Sequence, residues 1–220
     1  MSFLLLLASA AAPPPALDRP QVEAIVREYI LAHPEILPEA IERLRTRETA
    51  KAIAANRAVL FTPFGSAWEG AADADVTLVQ FFDYACGHCR NSRKDVARLL
   101  AEDGRLRVVY REFPVLGEFS EAASRVSLAA AKTGKWRDAH QALYALAPDD
   151  LEGLKRLSAK YGMGGDDGDQ EVARNLGLAR PLQITGTPSW VVGDQLLSGD
   201  VGYDALKAAV AAVRQLQSGR

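Results

Sequence analysis

The spacing of apolar residues predicts a buried strand followed by an amphipathic helix within residues 76–100. The strand is expected because the first part of this range is almost entirely apolar and rich in phenylalanine. The helix is expected because Val96 and Leu99 fall on the same helical face. Cys86 and Cys89 lie between the two elements, so the sequence places both cysteines at a strand-to-helix turn.

Apolar residues at helical spacing also predict two helices ahead of this unit. Asp18 followed by Pro20 is typical of a helix start, and the first helix is expected to end near His33. The second helix holds Pro38 in its first turn and continues to about Arg57 as a polar helix with a narrow apolar seam. The seam is formed by Val22, Ile25, Tyr29, Leu37, Ile41 and Leu44.

This seam needs a surface to cover it, and two arrangements remain open. The helices could fold back on the main domain, or they could pair with the same segment of other subunits as a short coiled coil. The polar stretch 43–57 favours a segment that projects away from the body, and hence self-association. We therefore expect residues 18–60 to form a helical oligomerisation segment.

The rest of the chain predicts an α/β domain over residues 61–220, with a mixed central sheet flanked by helices. A linker that can include one short strand occupies 61–75, and a block of helices at about 117–182 is too long for a simple crossover between strands. Ser120 and Asp167 are expected to cap two of these helices, and His140 is expected on a buried face. The remaining predicted elements are a strand at 106–113, a strand at 189–192, a short hairpin partner at 196–197 and a closing helix at 203–216.

Composition fits one domain of ordinary size with an appendage. The 220 residues are 48% hydrophobic, and 26 basic residues stand against 28 acidic ones. This balance does not predict a nucleic-acid partner. The chain has only two cysteines, so within one chain no structural disulfide can exist beside a Cys86–Cys89 pair.

The first residues predict export. Phe3 to Leu7 form a short apolar stretch, and the small residues Ala8, Ser9 and Ala10 that follow resemble a cleavage site. The stretch is too brief to span a bilayer, although it lacks the basic residues that usually precede such a signal. We expect residues 1–17 to be a cleaved signal peptide and a proline-rich leader.

The position of the cysteines predicts redox chemistry. The start of a helix offers unpaired N–H groups and the positive end of the helix dipole, both of which favour a thiolate at Cys86. A thiolate attacks disulfides, and Cys89 is placed to resolve the mixed disulfide that results. Copper or zinc binding by the two thiols is an alternative of another class, but no further ligand lies at local spacing. We expect no resident metal and no cofactor beyond the redox-active Cys86–Cys89 disulfide.

The motif around the cysteines, together with Gly186-Thr187-Pro188 near the C-terminus, resembles the thioredoxin superfamily and its DsbA-like thiol-disulfide oxidoreductases. The resemblance covers about residues 75–216. It implies that Cys86 is the exposed nucleophile, that Cys89 is the buried resolving thiol, and that Pro188 is a cis-proline beside them. It also implies that the Thr187 backbone binds a polypeptide.

Three positions carry further expectations from this resemblance. Gly87 and His88 are similar to the pair between the cysteines of protein disulfide isomerase-like sites, where a positive charge on the histidine stabilises the thiolate. Gln80 occupies the position at which many members of the superfamily carry a buried carboxylate. Glutamine cannot titrate, so any proton relay must use water, another acid or none.

The N-terminal segment resembles the helical extension of ScsC-like members, which oligomerise through it and act as isomerases. This resemblance, together with Thr187 before Pro188, implies a disulfide isomerase or reductase that acts in the periplasm as an oligomer. A trimer is the favoured oligomer. A monomeric DsbA-like dithiol oxidase is the alternative. The implied partners are unfolded or misoxidised protein clients and a membrane redox partner that reduces or reoxidises the cysteines.

Overall fold

The computed structural model describes residues 17–163 and 165–219 of the chain. Almost all of the predicted signal peptide and leader, 1–17, lies outside the described residues. The chain divides into two units, Met1–Arg45 and Thr46–Arg220. Within the described residues, no helix combines the length and the hydrophobicity that crossing a bilayer requires.

The first unit contains helix α1 (Arg19–Ala32) and the start of helix α2 (Ile36–Phe61). Asp18 caps α1 as predicted, because its carboxylate accepts the Gln21 N–H at 2.9 Å and the Gln21 side chain accepts the Asp18 N–H at 3.0 Å. The six seam residues are 43–56% exposed. Their assignment to oligomerisation stays a prediction.

The second unit is built on a five-stranded mixed sheet in the order β1-β3-β2-β4-β5. The central strands β2 and β3 are parallel, and the other neighbouring pairs are antiparallel. The predicted fold class, a mixed sheet with flanking helices, is confirmed. The strands are β1 (Trp68–Gly70), β2 (Val76–Phe82), β3 (Leu106–Glu112), β4 (Ser189–Val192) and β5 (Gln195–Ser198).

Six further helices belong to this unit. The predicted helical insertion is observed as four helices between β3 and β4, and the cysteine-bearing helix follows β2 directly. The helices are α3 (Gly87–Glu102), α4 (Glu118–Lys132), α5 (Trp136–Ala145), α6 (Leu151–Tyr161), α7 (Asp166–Ala179) and α8 (Gly202–Ser218).

Alternate residues of β2 enter two separate cores on the two faces of the sheet. Leu78 and Phe82 join one core with side chains of α3, α4, α5 and α8, whereas Val79 and Phe81 join the other with side chains from the end of α2 and from α7. Both faces are covered, which explains why this strand is apolar throughout. Gln80 shares its face with Leu78 and therefore points toward the side of the sheet that carries the cysteine helix.

The end of α2 belongs to the sheet domain rather than to the preceding segment. Ile53 and Leu60 are fully buried in the second core, although the sequence analysis set the domain boundary near residue 60. Arg111 on β3, itself 2% exposed, donates to the carbonyl oxygens of Val59, Leu60 and Thr62. The last turn of α2 is therefore capped by a buried guanidinium.

Both predicted helix caps in the insertion are wrong. Helix α4 begins three residues earlier than a cap at Ser120 would place it, with Gly117 at φ 104° as its N-cap. That backbone conformation strongly favours glycine, which sets the helix start. Helix α7 begins at Asp166 behind Gly165, so Asp167 lies inside the helix.

Candidate active site

Cys86 is the N-cap residue of α3, with its backbone in the extended region. Its sulfur accepts the backbone N–H of Cys89 at 3.3 Å, a bond that satisfies one of the free donors of the first helical turn. Both cysteines are free thiols in this structure. Cys86 is only 6% exposed, so the exposed position predicted for it is wrong, although Cys89 is the more buried of the two, as predicted. The strand-to-helix turn predicted from the sequence is thus where the pair lies.

The surroundings of Cys86 favour its thiolate. Hydrogen bonding to the Cys89 side chain contributes most to lowering the pKa of Cys86 from 9.0 to about 5, against the opposing effect of burial. Hydrogen bonding to the Thr187 side chain and to the backbone N–H groups of Cys89 and His88 lowers the pKa of Cys86 further. Cys86 therefore carries a negative charge at neutral pH.

Cys89 has the opposite character. It is fully buried, and burial raises the pKa of its thiol far above 9.0, with the hydrogen bond to Cys86 and the negative charge of Cys86 adding to the shift. At neutral pH the site therefore holds one thiolate and one neutral thiol that donates to it.

The loop before β4, which contains Thr187 and Pro188, lies beside Cys86. The Thr187–Pro188 peptide bond is cis. The thiol form of Cys86 donates to the carbonyl oxygen of Thr187 at 3.3 Å, across 101 positions of sequence. The structure thus places Thr187 against the sulfur, and its predicted role in binding a polypeptide stays a prediction.

The two residues between the cysteines are exposed. The side chain of His88 is 74% exposed, and its Nδ1 lies 3.9 Å from a carboxylate oxygen of Asp200. Its backbone N–H is the part of His88 that lowers the pKa of Cys86, so the predicted effect of the ring charge stays a prediction. A Cβ added to Gly87 would meet no atom within 4 Å, so close packing does not explain the glycine.

Gln80 is 3% exposed and is connected to Cys89 through Ser92. Its amide nitrogen donates to Ser92 Oγ at 3.2 Å, and that hydroxyl donates to the carbonyl oxygen of Cys89 at 2.9 Å. The amide therefore holds the backbone of the first helical turn and offers no titrating group there.

Asp83 is a site residue that the sequence analysis missed. It is fully buried, and one carboxylate oxygen accepts from the Ala85 N–H at 2.8 Å and the Ser120 hydroxyl at 2.6 Å. The other oxygen accepts the N–H groups of Val115 and Leu116 at 2.9 and 3.1 Å. Asp83 therefore ties the turn before Cys86 to the loop after β3. Its position three residues before the first cysteine was the available signal.

We expect Asp83→Asn to slow the reaction of Cys86 with iodoacetamide and to destabilise the protein by about 1–3 kcal/mol, the penalty for leaving buried donors unpaired. The amide nitrogen of asparagine faces N–H and O–H donors and cannot accept from them. Alkylation rates and urea unfolding measure the two effects. Asp73→Asn is the control, because Asp73 is exposed on a loop. Equal alkylation rates in wild type and Asp83→Asn would show that Asp83 does not hold the turn.

A second set of buried polar groups lies behind this turn, and only His140 among them was expected from the sequence. Ser127 Oγ donates to a carboxylate oxygen of Glu112 at 2.7 Å, and the Tyr84 hydroxyl donates to Ser127 Oγ at 2.8 Å. The Tyr84 oxygen is also 2.9 Å from Nδ1 of His140, which confirms the buried position expected for that histidine. These four residues form a continuous polar chain in an aromatic core.

The comparisons with known proteins agree with this fold. A family model described as Thioredoxin matches residues 64–212, and one described as Copper resistance protein ScsC N-terminal domain matches residues 18–51. A linker-deletion mutant of ScsC from Proteus mirabilis is 30% identical with a TM-score of 0.75, over 94% of this chain and 100% of that chain.

Two other solved structures match more than two thirds of the chain. A thioredoxin-like oxidoreductase from Silicibacter pomeroyi is 36% identical with a TM-score of 0.67, over 73% of this chain and 98% of that chain. A periplasmic thioredoxin-like protein from Salmonella enterica is 27% identical with a TM-score of 0.64, over 71% and 94%.

A longer protein contains a related segment. The Na⁺/H⁺ antiporter NhaA 3 of Salinispora tropica is 28% identical over 153 residues, which are 64% of this chain but 24% of that protein. The chain thus spans about a quarter of the length of this curated relative.

The fold and the two cysteines at a helix start define a thioredoxin-like protein with a dithiol site. The chain belongs to the thioredoxin family, and within it to the ScsC-like thiol-disulfide oxidoreductases. The enzyme class predicted from the sequence is confirmed at this level.

Metal binding was expected to be absent from the site. In the part of the chain that the structure describes, no group of three or more His, Cys, Asp or Glu side chains is arranged to hold a metal ion. Whether the two thiols take up Cu(I) is decided by metal analysis of the purified protein, and the expectation of no metal stays a prediction.

Proposed function

We propose that this protein exchanges disulfide bonds with polypeptide clients, acting as a disulfide isomerase or reductase in an oligomer. The observation that carries the proposal is the opposite shift in the pKa values of the two cysteines. Cys86 is a thiolate whose pKa is lowered to about 5, and Cys89 is a buried neutral thiol within hydrogen-bonding reach of it. The reduced site is therefore poised to attack a client disulfide at neutral pH.

The exchange begins when the Cys86 thiolate attacks one sulfur of a client disulfide. A Cys86–client disulfide forms, and the other client sulfur leaves as a thiolate. In isomerisation, a client thiolate then attacks the client sulfur of this mixed disulfide, which forms a new client disulfide and returns Cys86 as a thiolate. The protein is neither oxidised nor reduced over this cycle.

Reduction of the client requires Cys89 instead. Cys89 loses its proton, attacks the Cys86 sulfur and releases the reduced client, leaving the Cys86–Cys89 disulfide. The charge of Cys86 helps keep Cys89 protonated, and this contribution disappears once Cys86 is bonded to the client. Formation of the mixed disulfide thus makes Cys89 easier to ionise. A membrane redox partner would then restore the dithiol.

The lowered pKa of Cys86 also supports the alternative, a monomeric oxidase. A stabilised thiolate favours the reduced site and therefore makes its disulfide a stronger oxidant. The direction of exchange then depends on whether several sites face one client. The exposed apolar seam on the first unit and the match of residues 18–51 to the ScsC N-terminal domain support an oligomer, with a trimer favoured.

We expect Ile41→Asp and Ile25→Asp to shift the protein toward monomer and to lower isomerase activity by about tenfold or more. Joined sites act on one client at high effective concentration, an advantage on the order of 10²-fold that separate subunits lose. Light scattering reports the mass, and refolding of scrambled ribonuclease reports the activity. A monomeric wild type, or unchanged isomerase activity in the monomeric variants, would favour the oxidase.

The matched control is Ala40→Asp, which adds the same charge at an exposed neighbouring position outside the seam. A truncation should begin at Thr46 rather than Phe61, because Ile53 and Leu60 are part of the sheet core. Removal of these two residues would destabilise the catalytic unit and obscure the effect on assembly.

We place this function in the periplasm. The signal-like residues at the start of the sequence support this location, and so does the likeness to the periplasmic protein from Salmonella enterica. Clients with exposed or wrongly paired cysteines occur in such an oxidising compartment. Fractionation of cells that express the full chain tests the location, and recovery in the cytoplasm would contradict it.

A further inference from the structure

Glu112 differs from the other buried carboxylates in the described part of the chain. Asp83 accepts four hydrogen bonds, and Glu171 pairs with Arg111 and Arg174. Glu112 is fully buried and accepts the Ser127 hydroxyl at one oxygen. Its own backbone N–H and the Trp136 side chain also lower its pKa, but neither its second oxygen nor the Trp136 indole N–H makes a hydrogen bond of normal geometry. A buried carboxylate with so little compensation changes its protonation state easily.

The polar chain connects Glu112 to the turn that carries Cys86. Ser127 donates to Glu112, and Tyr84, two residues before Cys86, donates to Ser127. The Tyr84 ring lies 4.9 Å from the ring of Tyr144. The Tyr144 hydroxyl donates to the carbonyl oxygen of Asp83 at 3.4 Å, and this same oxygen accepts the Cys86 N–H at 3.2 Å.

Glu112 interacts electrostatically with Tyr84, and the cysteines interact in the same way with Tyr144. The charge of Glu112 raises the pKa of Tyr84, whereas electrostatic interaction with Cys89 and Cys86 raises the pKa of Tyr144. Burial contributes most to both shifts. The glutamate and the cysteines thus share one apolar aromatic cluster, in which charges are weakly screened.

We propose that Glu112 is a positioning residue for the cysteine pair, which couples its own protonation to the redox state of Cys86 and Cys89 through Ser127 and Tyr84. The inference rests on the proposed disulfide exchange and adds a buried titrating acid that influences the site through its charge. Glu112 touches neither sulfur and transfers no proton to them directly. It acts because its negative charge and that of the Cys86 thiolate oppose each other in one cluster.

The surrounding charges fix the pH range of this coupling. Burial raises the pKa of Glu112 from 4.5 to about 7, the Ser127 hydrogen bond lowers it, and the charge of Glu171 on α7 raises it. Burial lowers the pKa of Arg111 on β3, and the negative charge of Glu112 opposes that shift. The positive charge of Arg93 on α3 opposes the increase that burial causes in the pKa of Tyr84. His140 on α5 faces the chain as a neutral ring, because burial lowers its pKa well below 6.5. Glu112 is therefore neutral below about pH 7 and ionised above it.

The equilibrium between this protein and glutathione, measured over about pH 6–8, tests the inference. We expect the pH profile of the equilibrium constant between wild-type protein and glutathione to change slope near pH 7, which is the break referred to below. Above that pH the Glu112 charge opposes the Cys86 thiolate, so the Cys86–Cys89 disulfide is less oxidising. Glu112→Gln should abolish the break and differ from wild type by about threefold at the upper end, which corresponds to about half a pKa unit of interaction. At the lower end the two proteins should agree.

Ser127→Ala is the second variant, because it keeps Glu112 and removes the hydrogen bond that lowers its pKa. The break should therefore move to higher pH in this variant. Identical pH profiles for wild type and Glu112→Gln would overturn the inference, whatever the effect on stability. So would a break that stays in place in Ser127→Ala. Failure of wild type to act on any protein client would overturn the proposed function, whereas the glutathione profile alone decides the role of Glu112.

Discussion

Replacement of Cys86 by serine is expected to abolish disulfide exchange, with a loss of at least about 10³-fold, the scale on which enzymes lose activity with their nucleophile. A serine hydroxyl does not ionise at neutral pH and does not attack disulfides. Cys89→Ser should behave differently, because it retains the Cys86 thiolate but cannot resolve the product. It should accumulate mixed disulfides with clients, which are visible as reducible adducts on non-reducing gels.

The pH dependence of Cys86 gives this prediction a second measurement. Alkylation of reduced wild-type protein should rise as the pH increases through about 5 and then level off, because Cys86 is already ionised. Cys89→Ala should move this rise to higher pH, since hydrogen bonding to Cys89 contributes most to lowering the pKa, whereas Cys89→Ser retains a donor. A rise near the ordinary thiol value of 9.0 in wild type would contradict the assignment.

The same shift has a consequence for stability. The folded state holds Cys86 ionised from about pH 5, while the unfolded chain binds that proton up to about its ordinary value of 9.0. Stability of the reduced protein therefore increases with pH across this window and is lost as the pH falls through about 5. The oxidised protein has no such thiol, so the pH dependence of the stability difference between the two forms across this window reports the contribution of Cys86.

Local patterns were sufficient to predict the order of elements and the central motif. The apolar run of β2, the helical spacing after Cys89 and the cap at Asp18 each depend on neighbours within a few positions. Pairing of the cysteines with Thr187 followed from the resemblance, because no local pattern links residues 101 positions apart.

The rest of the site depends on contacts between distant segments. Serine is a common helix cap, but the Ser120 hydroxyl donates to Asp83 instead. The helix begins after Gly117, whose backbone conformation favours glycine. Glu112 ends an alternating strand and looks like an exposed residue in sequence. It is buried because the helical insertion covers that end of β3 and supplies Ser127 as a partner. Propensity cannot anticipate such partners.

Arg111→Ala is expected to destabilise the protein by about 3–5 kcal/mol, the range for removing one partner of a buried ion pair. Arg111 and Glu171 are each 2% exposed, and the distance between Nη1 of Arg111 and the glutamate oxygen is 2.6 Å. The substitution leaves the Glu171 charge buried and removes the donor from three carbonyl oxygens around the end of α2. Urea unfolding measures the loss.

Two further variants separate the ion pair from the cap of α2. Arg174→Met removes the other, 56% exposed partner of Glu171 and should cost no more than about 1 kcal/mol. The double variant Arg111→Met/Glu171→Met removes both buried charges and should recover part of the loss, since an apolar pair of similar size avoids their desolvation. Full recovery would mean that the carbonyl oxygens do not need Arg111. If Arg111→Ala were as stable as wild type, the buried guanidinium would not hold the end of α2 on the sheet.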